Sequence, residues 1–345
     1  MQLIPPNKPN SQWTVLAGLR FVLALCVVIT HSGIVAPGYF LWRHVGNTGY
    51  PAVFGFFMIS GYSIAASLIS KPSGYFWRRV RRIYPTYIVA LLFSTIVLLP
   101  HPLHLPLGQV IVLSNWQTIL SNVFMMQGTL TQSVSGDGAV WSLSVEWWCY
   151  MLAIVLIRYS VKWTSVLIGL SFAALMIYMR SKGYLVGDSH MPLGLDFLLL
   201  AWAWMTGFSF YRAPTKINFA LMLILPVIMF DMGDHLPLAS VTVAATAALV
   251  YLSNEIHIKN DKINKCIKWL GDMSYPLYLL HPPLLYWLSS EASIRNGNVL
   301  IICIVLIVSI SYYIGSTLMN KIEPQLRHLI SGSRSEVSSS RTGTV

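Results

Sequence analysis

The feature that most constrains this sequence is a series of apolar runs, each about as long as the core of a lipid bilayer is thick. A helix needs roughly 20 mostly apolar residues to cross that core. Charged residues make up only 10% of the chain, whereas soluble domains carry about 25%. So few charges cannot cover the surface of a soluble protein of 345 residues. The sequence therefore predicts an integral membrane protein.

Ten of these runs have a length suited to a transmembrane helix. They lie near 15–35, 49–69, 83–100, 141–158, 164–179, 193–211, 217–232, 237–253, 272–290 and 299–319. With the N-terminus inside, the inner segments hold 18 of the 23 lysines and arginines and the outer segments hold four. This bias follows the positive-inside rule. We predict an all-α membrane protein with about ten transmembrane helices and both termini in the cytoplasm.

The segment 108–128 is apolar enough to be an eleventh span, but the charge pattern argues against a crossing. If it crossed, Arg158 and Lys162 would fall outside. Its apolar residues recur at helical spacing, namely Leu113, Trp116, Leu120 and Val123. We therefore predict an amphipathic helix in the outer interface, or a re-entrant segment.

The domain organisation predicted from these segments is simple. A cytoplasmic segment covers 1–14, one transmembrane domain covers 15–320, and a cytoplasmic tail covers 321–345. Residues 331–345 have no apolar periodicity, which is typical of a disordered segment. The net charge of +11 does not indicate nucleic-acid binding, because the basic residues lie in the gaps between spans rather than on one polar face.

Two ionisable residues stand within the first predicted span, Arg20 and His31. Eleven residues at about 100° each end about 20° past three full turns, so both side chains lie on one helix face. They are about 16.5 Å apart along the axis. A cation and a base so arranged suit a long ligand with an anionic head and a reactive far end. The alternative is that Arg20 reaches the inner headgroups and His31 is a packing histidine.

A basic cluster, "RRVRRIYP", precedes the third span. Arg79 and Arg82 share a helix side, and so do Arg78 and Arg81. Paired guanidinium groups bind phosphate oxygens well. The alternative is a plain inner-membrane anchor that helps to set topology.

Glu146 opens a later span in "WSLSVEWWCY", among tryptophans. The aromatic residues are typical of a membrane interface, but the carboxylate is not. It could orient or pair with a histidine, or hold a sugar hydroxyl.

The last polar motif is "GDMSYPLYLLHPP", residues 271–283. Ser274, Tyr278 and His281 share a helix face by their spacing. Pro276 frees a backbone carbonyl inside this helix, and two prolines follow His281. A polar face between prolines favours a functional site over simple packing.

These segments, in this order, resemble the membrane-bound acyltransferase family 3, the bacterial O-antigen and exopolysaccharide O-acetyltransferase group. Arg20 and His31 are similar to its R-x10-H motif, and "VFGFFMISGY" (53–62) is similar to its FFxxSG segment. The other similar motifs are RxxR, best aligned on Arg79 and Arg82, WSLxxE at 141–146, and the late SYxxYLxH element. One departure is Ala17, where many relatives have Asp.

The resemblance implies an O-acyltransferase of the bacterial inner membrane. The donor would be an acyl-CoA, most often acetyl-CoA, and the acceptor a hydroxyl of a surface saccharide or its lipid-linked precursor, with no metal and no nucleic acid involved. The catalytic residues would be His31, Glu146 and His281. The donor-binding residues would be Arg20, Arg79, Arg82, Ser274 and Tyr275.

Two other classes of protein compete with this interpretation. A transporter or flippase would also have about ten spans, broken helices and buried charges. The halves of the chain show no repeat symmetry, which weakens that reading. A lipid-linked glycosyltransferase or ligase would need an acidic metal-binding motif or outer catalytic arginines. Here Arg43, Arg180 and Arg295 are isolated, and Asp231 with Asp234 has no third carboxylate nearby.

Overall fold

The computed structural model describes residues 11–36, 38–106, 108–182, 195–234, 237–294, 296–310, 312–313 and 316. The predicted tail, 321–345, and the first ten residues of the chain lie outside this described part. The secondary structure of the described part is almost entirely helical.

The helices follow one another along the chain with short connections. They are α1 (Gln12–Val35), α2 (Phe40–Val45), α3 (Gly49–Ser70), α4 (Tyr75–Leu98), α5 (Trp116–Val123), α6 (Trp141–Leu156), α7 (Val161–Lys182), α8 (Asp196–Arg212), α9 (Lys216–Asp234), α10 (Pro237–Leu252), α11 (Asp261–Ser290) and α12 (Gly297–Ile310). A short hairpin follows α4, and its two strands, β1 (Leu103–His104) and β2 (Val110–Ile111), have two residues each.

Several helices have the length and apolarity that a bilayer requires. Within the described ranges these are Gln12–Val35, the helical stretch Phe40–Ser70, Tyr75–Leu98, Gly138–Leu156 and Val161–Ser181. The helices Pro237–Leu252 and Gly297–Ile310 are apolar but shorter. The prediction of an all-α membrane protein is therefore confirmed, while the count of ten spans and the location of the termini stay predictions.

Helices α3 and α8 cross with their backbones in close contact. A Cβ atom at Gly61 would overlap with the carbonyl of Trp204, and one at Gly207 would overlap with the carbonyl of Met58. Small residues at such crossings let helices approach closely and gain dispersion energy in an apolar environment. This crossing builds the main apolar core, which includes the fully buried Trp202 and Trp204.

Helix α1 packs along α11, and this pair carries both histidines of interest. A Cβ atom at Gly271 would overlap with Ala17, so the backbone of α11 at Gly271 lies directly against the side chain of Ala17 on α1. The residue at which many relatives have Asp is thus a buried contact point between α1 and α11.

The segment 108–128 does not form one continuous helix. Only Trp116–Val123 is helical, with Asn115 as its N-cap accepting a hydrogen bond of 2.8 Å from the Thr118 amide. Trp116 and Leu120 on this short helix are exposed. Eight residues span about 12 Å, so this helix is too short to cross a bilayer.

Candidate active site

A cavity of about 980 Å³ lies between α1, α3, α4, α6 and α11. It starts at the end of the bundle where α4 and α11 begin, which we call the basic end because Lys71, Arg78 and Lys268 lie there. Its opposite end is lined by Ser142 and Tyr278. The volume is at the upper end of the range of small-molecule sites, about 300–1,000 Å³.

The charge of the cavity wall is positive. Its charged side chains are the cations Arg20, Arg79, Arg82 and Lys268 and the acids Glu146 and Asp272. Among the described residues no carboxylate lies within ion-pair distance of the Arg20 guanidinium, and no hydrogen bond is formed by it. An arginine inside a membrane protein without a partner is costly, so an anion bound in this cavity would be stabilised by Arg20.

The structure separates the two arginine pairs of the basic cluster. Arg79 and Arg82 line the cavity. Arg79 is only 8% exposed, donates from Nη2 to the Ser67 hydroxyl at 3.0 Å, and lies over the ring of Tyr75. Arg78 instead donates to the backbone carbonyls of Ser73 and Lys71. Arg79 and Arg82 are therefore the pair that faces the cavity.

Glu146 lies in the wall between the two ends of the cavity. Its Oε1 atom accepts hydrogen bonds from the Ser60 hydroxyl and, at 2.5 Å, from the Tyr150 hydroxyl. The indole of Trp204 donates to the same serine at 3.2 Å. These contacts fix the carboxylate. Glu146 could have oriented His31, but in the structure it bonds to Ser60 and Tyr150, and His31 contacts another residue.

That residue is His281. The Nδ1 atom of His31 lies 2.7 Å from Nε2 of His281, and the two rings stack with centroids 4.9 Å apart. His281 is fully buried, whereas His31 keeps part of its surface exposed. The pair lies just beyond the far end of the cavity, because the ring of Tyr278 lines the cavity and lies 5.9 Å from the ring of His281.

The hydrogen bonds of this pair assign both protons. His281 Nδ1 lies 2.8 Å from the Tyr278 carbonyl and 3.2 Å from the Leu277 carbonyl. Because carbonyls only accept, Nδ1 of His281 carries its hydrogen, and in the neutral ring Nε2 is then an acceptor. His31 must donate from Nδ1 to that acceptor. The Nε2 atom of His31 is therefore also unprotonated, and no hydrogen bond within the pair uses it.

Ser274 and Tyr275 also line the cavity. The Ser274 hydroxyl donates to the Gly271 carbonyl at 2.6 Å, and the Tyr275 hydroxyl donates to the Ile83 carbonyl at 3.0 Å. Both hydroxyls thus hold the backbone around the cavity, and their oxygens remain able to accept.

Several residues of the site were not assigned a role from the sequence. Ser60 and Tyr150, which hold Glu146, lie inside segments that the sequence already marked. Tyr150 is four residues after Glu146 on α6 and so shares its helix face, whereas Ser60 reaches Glu146 only through the packing of α3 against α6. Lys268 is one of the 18 inner lysines and arginines in the sequence, and only the structure places it in the cavity wall. Across the described ranges, no three His, Cys, Asp or Glu side chains are grouped so that they could hold a metal ion.

A buried acid, Asp137, lies in the loop before α6. It is fully buried, and apart from the nearby backbone N–H of Ala139 no described group hydrogen-bonds to its carboxyl oxygens. Burial raises the pKa of Asp137 well above its ordinary value, because the charged form is poorly solvated there. Nothing in the sequence distinguishes this residue from an ordinary loop aspartate.

Comparison with known proteins agrees with the geometry. The family model described as "Acyltransferase domain" (Acyl_transf_3) matches residues 14–316. The chain is also similar to the protein "Acyltransferase MdmB" of Streptomyces mycarofaciens, with 32% identity over 150 residues, 39% of this chain and 37% of that relative. The chain thus matches well under half of that relative's length. No solved structure matches the chain significantly. The chain therefore belongs to the acyltransferase family 3.

Proposed function

We propose that this enzyme transfers an acyl group, most simply acetyl, from an acyl-CoA to a hydroxyl of a cell-surface saccharide or of its lipid-linked precursor. We place it in the inner membrane of a bacterium. The observation that carries the proposal is that a cation-lined cavity ends beside a histidine pair that presents one unprotonated nitrogen.

The cavity suits a long donor with an anionic head. Arg79, Arg82 and Lys268 lie toward the basic end and would bind the phosphates of CoA, since guanidinium and ammonium groups form strong charge-assisted hydrogen bonds with phosphate oxygens. Arg20 lies further along the same wall. By the positive-inside rule the basic end would face the cytoplasm, which is where acyl-CoA is made.

The thioester of such a donor would lie near Ser142 and Tyr278, close to the histidine pair. His31 Nε2 would remove the proton of the acceptor hydroxyl as its oxygen attacks the thioester carbonyl. The new C–O bond forms, the C–S bond breaks, and the proton is returned to the CoA thiolate. An acyl relay through His31 would use the same nitrogen as nucleophile, and the geometry is compatible with either route.

His281 would support His31 in both routes. Its Nε2 accepts the Nδ1–H of His31 and holds that ring in place. Glu146, fixed by Ser60 and Tyr150, would act on the donor side of the cavity by balancing the charge of Arg20 and Arg82. The saccharide acceptor would come from the opposite side, and its identity follows from the family resemblance alone.

The experiment uses inner-membrane vesicles that contain the protein and acetyl-CoA labelled in the acetyl group. We expect label in the lipid-linked or polymer saccharide fraction with the wild type and none with His31→Ala at matched abundance. His257→Ala serves as the control, because His257 is an exposed histidine outside the cavity. Equal labelling by wild type and His31→Ala would remove His31 from the chemistry. If none of the preparations released CoA thiol from acetyl-CoA, a transporter would be favoured.

A further inference from the structure

The sequence of α11 removes one backbone hydrogen bond next to the histidine pair. In an α-helix the N–H of each residue donates to the carbonyl four residues earlier. Proline has no N–H, so Pro282 leaves the carbonyl of Tyr278 without its backbone donor. Pro282 directly follows His281, and both are buried in the same helix.

The imidazole of His281 occupies the vacated acceptor. Its Nδ1 atom lies 2.8 Å from the Tyr278 carbonyl, closer than the 3.2 Å to the Leu277 carbonyl. The Leu277 carbonyl is already the regular acceptor for the backbone N–H of residue 281. The shorter hydrogen bond of the His281 imidazole is thus the one to the Tyr278 carbonyl, the acceptor that Pro282 leaves free.

We propose that Pro282 is a positioning residue that sets the tautomer of His281 and, through it, the tautomer of His31. With the Tyr278 carbonyl free, His281 is protonated on Nδ1 and accepts at Nε2. His31 then donates from Nδ1 and keeps Nε2 unprotonated. The catalytic meaning of this arrangement rests on the proposed function, but the arrangement itself is a property of the fold that can be measured separately.

Pro283 provides a matched control in the same helix. It frees the carbonyl of Leu279, whereas the imidazole of His281 bonds to Tyr278 and Leu277. Pro282→Ala and Pro283→Ala each remove a buried ring and each restore one N–H. Only the N–H restored by Pro282→Ala competes with His281 for its acceptor.

The first test reads the tautomer directly, by nitrogen-15 NMR of purified protein labelled at histidine. The signals of His281 are assigned by their loss in His281→Gln. We expect the wild type and Pro283→Ala to show His281 protonated on Nδ1, and Pro282→Ala to show a population protonated on Nε2. An unchanged tautomer in Pro282→Ala, or the same change in Pro283→Ala, would overturn the inference whether or not the protein transfers acyl groups.

The second test places Pro282→Ala in two backgrounds. In the wild type we expect kcat to fall roughly 3- to 10-fold, the effect of losing one hydrogen bond of ordinary net strength, with the KM for acetyl-CoA unchanged. In His281→Gln the amide oxygen accepts from His31 without a choice of tautomer, so Pro282→Ala should have no further effect there. If Pro282→Ala lowered kcat in the His281→Gln background as much as in the wild type, Pro282 would act only through the shape of the helix, and the inference would be wrong.

The two tests also separate this inference from the proposed function. If Pro282→Ala changed the tautomer of His281 but the wild type transferred no acyl group, the proposed function would be refuted and this inference would stand.

Discussion

His31 and His281 are 250 positions apart in the chain, and their ring nitrogens Nδ1 and Nε2 lie 2.7 Å apart. The contact exists because α1 and α11 run side by side, with Ala17 against Gly271 nearer the basic end. Here His281 has the place that a carboxylate has beside the histidine of a serine hydrolase triad, as the acceptor that fixes the ring. As a neutral group it orients His31 without adding charge to an apolar interior.

Replacing His281 should therefore reduce turnover more than donor binding. In His281→Ala the Nδ1–H of His31 loses its acceptor, and the ring is free to rotate or to change tautomer. We expect kcat to fall by about 10- to 100-fold, within the contribution usual for a general base, and the KM for acetyl-CoA to change less than about threefold.

Initial rates over a range of acetyl-CoA concentrations separate the two parameters. His281→Gln is the conservative partner and should retain more activity than His281→Ala, since its amide oxygen can accept from His31. A rise in KM with unchanged kcat in His281→Ala would contradict the positioning role and place His281 in donor binding.

Arg79 should bind the anionic head of the donor. Removing a hydrogen bond to a charged group costs about 1.5–3 kcal/mol, so Arg79→Ala should raise the KM for acetyl-CoA by roughly 10- to 100-fold. Arg81→Ala is the control, because Arg81 is exposed and lies off the cavity.

The matching measurement uses acetyl-pantetheine, which keeps the thioester and lacks the phosphates. Arg79→Ala and the wild type should use this truncated donor equally well. If Arg79→Ala impairs both donors to the same extent, Arg79 supports the fold of the cavity rather than the phosphates.

The sequence could predict the class of the fold because bilayer thickness fixes the length of apolar runs. It could also single out Arg20, His31, Glu146 and His281, because ionisable residues within such runs are rare. Spacing alone could not choose between the two arginine pairs, since Arg79 with Arg82 and Arg78 with Arg81 are both three apart, and the family resemblance alone favoured Arg79 with Arg82. That choice depends on how α4 is rotated against α11.

Contacts between distant helices were equally beyond the sequence. The spacing of four along α6 places Tyr150 beside Glu146, but nothing local shows that Glu146 would meet Ser60 rather than a histidine, because that contact depends on the packing of α3 against α6. The short helix Trp116–Val123 had the predicted amphipathic spacing, but its limits depend on Asn115 and on the buried side chain of Asn122, which bonds to the carbonyls of Thr118 and Gln132.

The crossing of α3 and α8 should be intolerant of added volume. In Gly207→Ala the new methyl group would overlap with the carbonyl of Met58, and a backbone atom cannot turn away as a side chain can. Overpacking of this kind costs about 1–3 kcal/mol. We expect less folded protein in the membrane and a lower Tm in detergent.

Gly169→Ala is the control for this substitution, since a Cβ atom at Gly169 meets no other atom within 4 Å. It should leave the Tm unchanged or raise it slightly, because alanine favours the helix over glycine. A Gly207→Ala protein as stable as Gly169→Ala would show that α3 and α8 are not held at this distance.

Asp137 should make the stability of the protein depend on pH. Because burial raises the pKa of its carboxyl in the folded state, the folded protein keeps a proton that the unfolded chain releases above about pH 4. Stability therefore falls as the pH rises from that value toward the raised pKa. Asp137→Asn is neutral at every pH and removes this dependence.

The check is the difference between the Tm at pH 5 and at pH 8, measured in detergent for three proteins. The wild type and Glu255→Gln, which changes an exposed acid, should both lose stability over this interval. Asp137→Asn should lose less, because its side chain has no proton to release, and the gap between it and the wild type should widen as the pH rises. Parallel Tm curves for Asp137→Asn and the wild type would mean that Asp137 has an ordinary pKa in the folded protein, and so that its carboxylate is solvated by water in the loop before α6.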